Sequence, residues 1–386
     1  MSARFTTQQG DLMTAPHLLS PVTFAGQELK NRMVLAPLTR GRAGPDRVPN
    51  KIMGDYYVQR SSGGLLISEA TSISPEGNGW VDAPGIYTSE MTAGWKSITD
   101  RVHAAGGRMV LQLWHTGRAS HSDFHNGELP FSASAVAIND GDGIYTPKGK
   151  KPFEVPRPMA VEDIKRTVED YRQAAINAKE AGFDGVEVHA ANGYLINQFL
   201  DSRSNQRDDD YGGSLENRYR FLAEVMQVVL EVWPAKQVGV RLSPNGVFND
   251  MGADDYKETY MFVADKLNQL GIGYLHVMDG LAFGFHERGE AMTLQEFRHV
   301  YKGLLIGNCG YDKDTAEQRI SSGDADMIAF GRPWITNPDL PVRFANDYPL
   351  ESFDDPSHWY GGGSEGYSDY SDYEEATGID QAEKLL

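Results

Sequence analysis

Short apolar runs alternate with helical patterns along this chain, and this alternation limits the possible folds more than any other feature. Gly, Pro or polar residues bound each run, which is typical of buried parallel strands. The predicted strands are Met33–Leu38, Gly64–Ala70, Arg108–His115, Gly185–Ala190, Val238–Ser243, Tyr274–Asp279, Leu304–Gly310 and Met327–Arg332. The predicted helices are Asn50–Arg60, Glu90–Ala105, Val161–Ala181, Leu215–Val232, Asp254–Leu270, Thr293–Tyr301 and Lys313–Ser322. Eight strand–helix units favour a closed (β/α)₈ TIM barrel over a doubly wound open sheet.

One insertion and two ends depart from this rhythm. The segment Ala119–Pro158, between the third and fourth strands, is rich in Gly, Pro, Ser and Asp. Loops at strand carboxyl ends carry barrel active sites, so we expect a hairpin or lid over the barrel mouth. For the distal half of the insertion, a solvated loop without a role is an equal alternative. We predict a single domain over residues 18–376, with flexible termini at 1–17 and 377–386, and partial disorder within the tail Gly361–Leu386.

Composition excludes several classes of protein. A net charge of −18 disfavours nucleic acid or anionic membranes as partners, because both repel an acidic surface. The single cysteine, Cys309, rules out a disulfide framework within the chain and a cysteine-ligated iron–sulfur cluster. The first residues lack the apolar core of a secretory signal, and no apolar run is long enough to span a membrane. We therefore expect a cytoplasmic monomer or homodimer, with removal of an organellar presequence left open.

Glycines and an arginine follow the last two predicted strands. Gly310 ends the seventh strand, and Gly331 and Arg332 end the eighth. Glycine lets backbone N–H groups approach a phosphate, and arginine adds a charge-assisted contact, so this pattern matches the usual phosphate site of a barrel. Ordinary turns are the alternative reading. Together the two turns indicate a phosphorylated cofactor or substrate.

A permanent cation is predicted inside the barrel mouth. Arg241 lies on the fifth strand and needs a partner, because a guanidinium does not lose its charge. One candidate partner is the pyrimidine edge of a flavin, which becomes anionic on reduction. The alternative is a structural ion pair with a barrel carboxylate such as Glu187. Thr39 and Gln112 are candidates for hydrogen bonds to the same ring, although either is equally typical of a strand end.

Three polar groups follow the fourth strand within six positions. His189 and Asn192 can donate hydrogen bonds to one oxygen, and Tyr194 can deliver a proton. These groups suit an enone, in which charge develops on oxygen while hydride adds to the β-carbon and a proton to the α-carbon. Core packing is the alternative for His189 and Tyr194, as it is for the nearby Trp114.

With these positions located, the sequence resembles the Old Yellow Enzyme family of ene-reductases, which includes the plant 12-oxophytodienoate reductases. The resemblance covers residues from about 18 to 376. The matching motifs are Asn31–Arg40, Gln112–Arg118, Gly185–Leu195, Gln198–Asp201, Asp210–Ser214, Glu216–Arg218, Arg241–Pro244, Gly331–Pro333 and Asn337–Leu340.

The resemblance implies a barrel with one non-covalent FMN, reduced by NADPH or NADH, and no metal. It implies that the enzyme reduces the C=C bond of α,β-unsaturated carbonyl compounds in a ping-pong cycle. Enones and enals are the expected substrates, with oxylipins and nitroalkenes as further candidates. The implied cofactor-binding residues are Pro37, Thr39, Ala70, Gln112, Arg241, Gly310, Gly331 and Arg332. The implied catalytic residues are His189, Asn192 and Tyr194, and the implied substrate-binding residues are His189, Asn192, Trp114, Phe283 and Tyr360.

This chain departs from some relatives, and two rival functions stay open. Some members carry a second His in place of Asn192, a bacterial branch carries Cys in place of Thr39, and many carry a smaller residue in place of Trp114. One rival is another barrel enzyme that acts on a phosphorylated ligand or uses a metal held by His115, His189 and Asp279. The other rival is a flavin-binding protein without turnover.

Overall fold

Eight parallel strands form a closed ring in the computed structural model, which describes residues 15–280, 284 and 287–378. The strands are β1 (Met33–Leu35), β2 (Leu65–Ile67), β3 (Met109–Trp114), β4 (Gly185–His189), β5 (Val238–Leu242), β6 (Tyr274–Met278), β7 (Leu304–Asn308) and β8 (Met327–Phe330). Each strand pairs in parallel with the next, and β8 pairs with β1. The predicted (β/α)₈ barrel is confirmed, and the open-sheet alternative is wrong.

Helices connect the strands and surround the ring. They are α1 (Lys51–Gln59), α2 (Ser89–Ala104), α3 (Val161–Glu180), α4 (Leu215–Val232), α5 (Tyr256–Leu270), α6 (Leu294–Val300), α7 (Lys313–Ser321) and α8 (Leu340–Asn346). The first seven agree with the predicted helices, because their ends carry sequence signals. Ser214 Oγ accepts the Asn217 N–H at 3.3 Å to begin α4, and Gly271 ends α5 with a left-handed φ of 64°.

Short helices without a strong pattern were not predicted. Besides α8, they are Leu195–Leu200, Arg332–Thr336 and Tyr373–Thr377. The predicted strands also run up to three residues past their observed carboxyl ends, as at Leu38 and Ala70. There the chain leaves the strand to form the loops at the mouth of the barrel.

The amino-terminal end of the barrel is sealed. Strands Val22–Phe24 and Gln27–Leu29 form an antiparallel hairpin, and the Phe24 ring packs 5.8 Å from the ring of Tyr274 inside the barrel. Apolar side chains of the barrel strands continue this cluster. Burial of these side chains stabilises the closed ring and leaves the carboxyl-terminal end as the open one.

The insertion after β3 contains the expected hairpin, formed by Ile144–Thr146 and Gly149–Lys151. Residues Phe131–Ser132 and Arg157–Pro158 form a second pairing, which is parallel. Ile138 is buried in one cluster with Trp114 and Tyr194, so part of the insertion contacts the barrel mouth. Its action as a lid stays a prediction.

The carboxyl-terminal segment packs onto the loop after β1. Arg40 donates to the Trp359 and Gly366 carbonyl oxygens at 2.8 and 3.0 Å, and Arg42 donates to the Gly363 carbonyl at 3.0 Å. Tyr367, in the tail for which partial disorder was expected, is fully buried beneath both guanidinium groups. These contacts bring residues 358–367 to the carboxyl-terminal end of the barrel. Across the described ranges, no helix is both long and apolar enough to cross a membrane.

Candidate active site

His189 lies at the end of β4 in a state that suits a hydrogen-bond donor. Its Cα pairs in register with that of Arg241 on β5, which in turn pairs with His276 on β6. Burial, followed by the charge of Arg241, holds the pKa of His189 well below its usual range, so the ring is neutral. Its Nδ1 accepts the Ala191 N–H at 3.3 Å, so the ring proton belongs on Nε2.

The turn after His189 requires two left-handed residues. Asn192 and Gly193 have φ values of 57° and 69°. A Cβ at Gly193 would lie 2.6 Å from the Asn249 Cβ and 2.7 Å from the Phe248 carbonyl oxygen, so only glycine fits. Asn192 is fixed through its backbone, because its N–H donates to Ser243 Oγ at 2.7 Å and its carbonyl accepts from Asn249 Nδ2 at 2.8 Å.

Tyr194 is a buried phenol that stays protonated. Burial raises its pKa, as does the nearby Tyr360, and these effects outweigh Arg241 and a hydrogen bond with the Asn249 side chain. Its ring meets the His189 ring edge to face at 5.0 Å and the Trp114 ring at 5.0 Å. The structure therefore brings His189, Tyr194 and Trp114 together.

Side chains from several loops form the wall around Tyr194. Trp114 is fully buried and packs with Ala70, Ile138 and Tyr194, so it backs the phenol rather than lying open to solvent. Trp80, on the loop after β2, packs against the same cluster and lies 5.3 Å from the ring of Tyr360. Tyr360 is half exposed, which places it at the outer edge of this wall.

The guanidinium of Arg241 is buried at the mouth with part of its hydrogen-bonding capacity unused. Its Nη2 donates to Asn308 Oδ1 on β7 at 2.5 Å. Its Nε has no partner within the described part of the chain. Glu187 is bonded to Gln112 and His276, so the direct ion pair considered as an alternative is not formed. An unsatisfied buried cation is costly and indicates an acceptor from outside the chain.

Gln112 lies one layer deeper, in register with Glu187 of β4. Its Nε2 donates to Glu187 Oε1 at 2.7 Å. Because a carboxylate only accepts, this bond fixes the orientation of the amide. Gln112 thus presents its remaining polar atoms from a fixed position on β3.

The predicted phosphate residues directly follow the ends of two adjacent strands, β7 and β8. Asn308 of β7 pairs in register with Ala329 of β8, and Gly310 and Gly331 each follow two residues later. Gly310 has a φ of 78°, and a Cβ there would meet nothing within 4 Å, which leaves its backbone open to approach. The Arg332 guanidinium lies 5.1 Å from the centroid of the Trp359 ring. A cation and open backbone on neighbouring loops form a suitable cradle for an anion.

The remaining predicted residues are less defined. Pro37 is buried and Thr39 is half-buried on the loop after β1, and no hydrogen bond joins the Thr39 side chain to another described residue. Asn192 lines a cavity with Ser243, Phe248 and Met278. That Asn192 and His189 both donate hydrogen bonds to one substrate oxygen stays a prediction. Phe283 lies outside the described residues.

Three residues of this site escaped sequence analysis. Asn249 contacts the Asn192 backbone and Tyr194, Ser243 holds Asn192, and His276 bonds Glu187. His276 lies on a predicted strand at a position that alternates inward, which was a usable signal. Asn249 lies within the irregular loop between β5 and α5, and no sequence pattern nearby marks it as part of the site.

A metal centre finds no support in the described ranges. No group of three His, Cys, Asp or Glu side chains there is arranged to hold a metal ion. His115 Nδ1 accepts the Gly117 N–H at 3.0 Å, and Asp279 accepts the Asn308 N–H at 3.1 Å. Two of the three proposed ligands are therefore engaged in fixing loops.

The residues present fit an FMN. Arg241 has an unused N–H for an electron-rich ring edge, and Gly310 with Arg332 suits its phosphate. These residues and Gln112 lie on or directly after β3, β5, β7 and β8, whose carboxyl ends open at the same end of the barrel, where a ligand of this fold binds.

Comparisons with known proteins agree with this assignment. Residues 17–351 match the model of the NADH:flavin oxidoreductase / NADH oxidase family. The chain is 42% identical over 366 residues to putative 12-oxophytodienoate reductase 11 of Oryza sativa subsp. japonica, covering 92% of this chain and 97% of that protein. It is 40% identical over 357 residues to a probable flavin mononucleotide-dependent alkene reductase of Leishmania infantum, covering 92% and 96%.

Solved structures give the same result. The Old Yellow Enzyme homologue of Zymomonas mobilis superposes with a TM-score of 0.88 at 42% identity, over 92% of this chain and 99% of that one. Morphinone reductase superposes with a TM-score of 0.88 at 42% identity, over 96% and 99%. Another structure of morphinone reductase contains tetrahydroNAD. The resemblance found in the motifs is confirmed: this chain belongs to the NADH:flavin oxidoreductase / NADH oxidase family, as a flavin-dependent oxidoreductase of the Old Yellow Enzyme type.

Proposed function

We propose that this protein uses NADPH or NADH to reduce the C=C bond of α,β-unsaturated carbonyl compounds in a ping-pong cycle. The overall reaction consumes one enone, one reduced nicotinamide and one proton, and yields the saturated carbonyl compound and the oxidised nicotinamide. FMN, when bound, supplies the hydride relay between the nicotinamide and the β-carbon of the enone. The tetrahydroNAD complex of morphinone reductase supports entry of the nicotinamide into a site of this kind.

His189 binds and polarises the substrate oxygen in this proposal. A neutral imidazole with its proton on Nε2 donates one hydrogen bond without adding charge. Negative charge grows on the oxygen as hydride reaches the β-carbon, so the bond strengthens toward the transition state. The Asn192 side chain is proposed as the second donor to the same oxygen.

Tyr194 delivers the proton to the α-carbon. Its raised pKa keeps the phenol protonated at neutral pH, and the hydrogen bond with Asn249 and the charge of Arg241 ease the transient phenolate. A solvent proton then restores the phenol. Trp114 and Ile138 cover Tyr194, which limits the access of water to this side of the pocket.

Arg241, Gln112 and Thr39 are proposed to hold the ring of FMN, with Pro37 and Ala70 lining it. Gly310, Gly331 and Arg332 are proposed to hold the phosphate. Tyr360 is proposed to border the substrate at the outer edge of the pocket, because it lies beside Trp80 and influences Tyr194.

One observation carries this proposal: a neutral imidazole donor and a protonated phenol lie together, ring centroids 5.0 Å apart, beside a buried arginine with an unused N–H. A flavin-binding protein without turnover needs the arginine but not the other two groups.

The deciding experiment begins with an absorption spectrum of the purified protein, for which we expect a yellow sample with an FMN band. The second step follows the absorbance of NADPH or NADH under anaerobic conditions. We expect continued loss of this absorbance only in mixtures that contain both the protein and 2-cyclohexenone. A yellow protein that consumes neither nicotinamide would support the non-catalytic alternative. A colourless preparation that cannot be reconstituted with FMN would refute the proposal.

A further inference from the structure

A fully buried carboxylate lies in the barrel directly below the mouth. Glu187 is 0% exposed, and Gln112 Nε2 donates to its Oε1 at 2.7 Å. His276, also 0% exposed, places Nδ1 2.9 Å from Glu187 Oε2. Burial of a carboxylate in a barrel interior costs several kcal/mol unless it is paired, and an apolar side chain would fill the space without that cost. The pair therefore calls for a role other than packing.

Glu187 is ionised in this setting. Burial opposes its ionisation, but the hydrogen bonds from His276 and Gln112 and the charge of Arg241 outweigh burial and lower the pKa of Glu187. The other ionisable group facing it is Tyr274, whose pKa burial and Glu187 raise, so this phenol stays neutral. Burial and Arg241 lower the pKa of His276 despite Glu187, so the imidazole is neutral and donates its Nδ1–H to the carboxylate.

The result is one buried negative charge facing one buried positive charge. No hydrogen bond or ion pair joins Arg241 directly to Glu187, and the Arg241 Nη2 donates to Asn308 Oδ1 instead. It nevertheless interacts electrostatically with the carboxylate, which helps to keep the guanidinium charged. Glu187 thus offsets part of the Arg241 charge, while the Arg241 Nε has no partner among the described residues and can serve a ligand.

We propose that Glu187 and His276 are positioning residues that set the reduction potential of the bound FMN. This inference rests on the proposed function, since it takes Arg241 and Gln112 as contacts of the flavin ring. Glu187 acts through both of them: it offsets part of the Arg241 charge, and it fixes the Gln112 amide. His276 keeps Glu187 ionised by donating one hydrogen bond. The two residues together hold the potential lower than an unopposed arginine would.

The main test replaces Glu187 by Gln, which removes the charge and keeps the shape. The unopposed Arg241 then favours reduced, anionic FMN, so we expect the two-electron equilibrium to shift about tenfold toward reduction, or about 30 mV. The potential is measured by spectroscopic titration against a reference dye, with the FMN dissociation constant measured in parallel. Glu169→Gln, an exposed carboxylate on α3, is the matched control and should leave the potential unchanged.

A second pair of variants tests His276 and does not depend on the folding of the first. His276→Asn keeps an N–H donor near Glu187 and should retain the wild-type potential. His276→Phe removes the donor, lets Glu187 take up a proton, and should raise the potential as Glu187→Gln does. Conservative rescue of this kind is not expected from a loss of packing alone.

Two outcomes separate this inference from the proposed function. Yellow wild-type and variant proteins with equal potentials would overturn the role of Glu187 and His276 and leave the enone reductase proposal intact. A wild-type protein unable to bind FMN would overturn both.

Discussion

Individual side chains at the mouth are distinguished by their ionisation. His189 and Tyr194 are both buried, and burial acts on them in opposite directions: it lowers the pKa of the imidazole and raises that of the phenol. Both groups are therefore neutral near pH 7, and each carries a proton that it can donate. Arg241 adds a fixed positive charge that acts on both groups and favours the neutral imidazole and a more acidic phenol.

Replacement of Tyr194 by Phe should separate the two half-reactions. The variant keeps the ring that packs on His189 and Trp114, so reduction of FMN by NADPH should remain close to the wild-type rate. Loss of the proton donor should slow reoxidation by 2-cyclohexenone by roughly 10²-fold or more. Stopped-flow traces at the flavin band report each half separately, and equal rates in both halves would remove Tyr194 from this role.

Replacement of His189 by Ala should weaken ligands that present a phenolate or carbonyl oxygen. Loss of one buried hydrogen bond to a charged oxygen costs about 1.5–3 kcal/mol, which is roughly a tenfold to hundredfold rise in the dissociation constant. Titration of the FMN spectrum with a phenol measures this constant. His189→Gln, which keeps a donor, serves as the control, and an unchanged affinity in His189→Ala would contradict the assignment.

At the scale of the elements, several independent contacts constrain the loop after β4. It turns through Asn192 and Gly193 and enters the helix Leu195–Leu200, whose residues are all buried. Gln198 Nε2 donates to the carbonyl oxygens of Thr116 and Gly193 at 3.0 and 2.7 Å, which joins this loop to the loop after β3. The functional groups thus sit on a short segment that two neighbouring strands hold in place.

Gly193→Ala should disturb this loop more than a left-handed φ alone explains. Its Cβ would overlap Asn249 and the Phe248 backbone, whereas a Cβ at Gly213, where φ is 79°, meets nothing within 4 Å. Gly213→Ala should therefore cost only the conformational penalty, about 1–2 kcal/mol. We expect Gly193→Ala to lose more thermal stability and also phenol affinity. Equal melting temperatures and equal phenol affinities for the two variants would contradict this prediction, because they would show that the loop accommodates a Cβ at position 193.

At the scale of the whole molecule, closure of the sheet creates both the core and the mouth. The hairpin Val22–Phe24 and Gln27–Leu29 seals one end, while residues 358–367 and part of the insertion gather at the other. The eight parallel strands direct their carboxyl ends to the same face, so residues far apart in the chain become neighbours there.

The stability of the folded protein should depend on His115 below neutral pH. Burial lowers the pKa of His115 to about 3 from an ordinary value of 6.5, so the unfolded chain binds a proton there that the folded chain does not. The contribution of His115 to the free energy of unfolding is therefore complete above pH 6.5. Below that pH it is lost by about 1.4 kcal/mol per pH unit. Chemical unfolding of wild-type protein and His115→Gln at pH 7.5 and pH 5 measures the difference. Between pH 7.5 and pH 5, the free energy of unfolding of the wild type should fall by about 2 kcal/mol more than that of the variant. A difference between the two proteins that does not depend on pH would refute this account.

The sequence by itself determined the class of fold, and it named the side chains that are proposed for the site. Short apolar runs located the eight barrel strands, because both faces of these strands are buried, and helical patterns with end signals located seven of the helices. The order of strand ends then placed His189, Tyr194, Arg241 and Gly310 on one face, since parallel strands in a barrel share their direction.

Only the tertiary structure decided which of these groups act on one another. Three contacts join parts of the chain that no local pattern relates. They are the pairing of Glu187 with His276, the contact of Asn249 with Tyr194, and the hydrogen bonds from Arg40 to the carbonyl oxygens of residues 359 and 366. Hydrogen-bond partners and pKa shifts depend on distance and burial, and both arise only when the ring closes and excludes water. The sequence could name the side chains, but their protonation and their free donors are properties of the folded barrel.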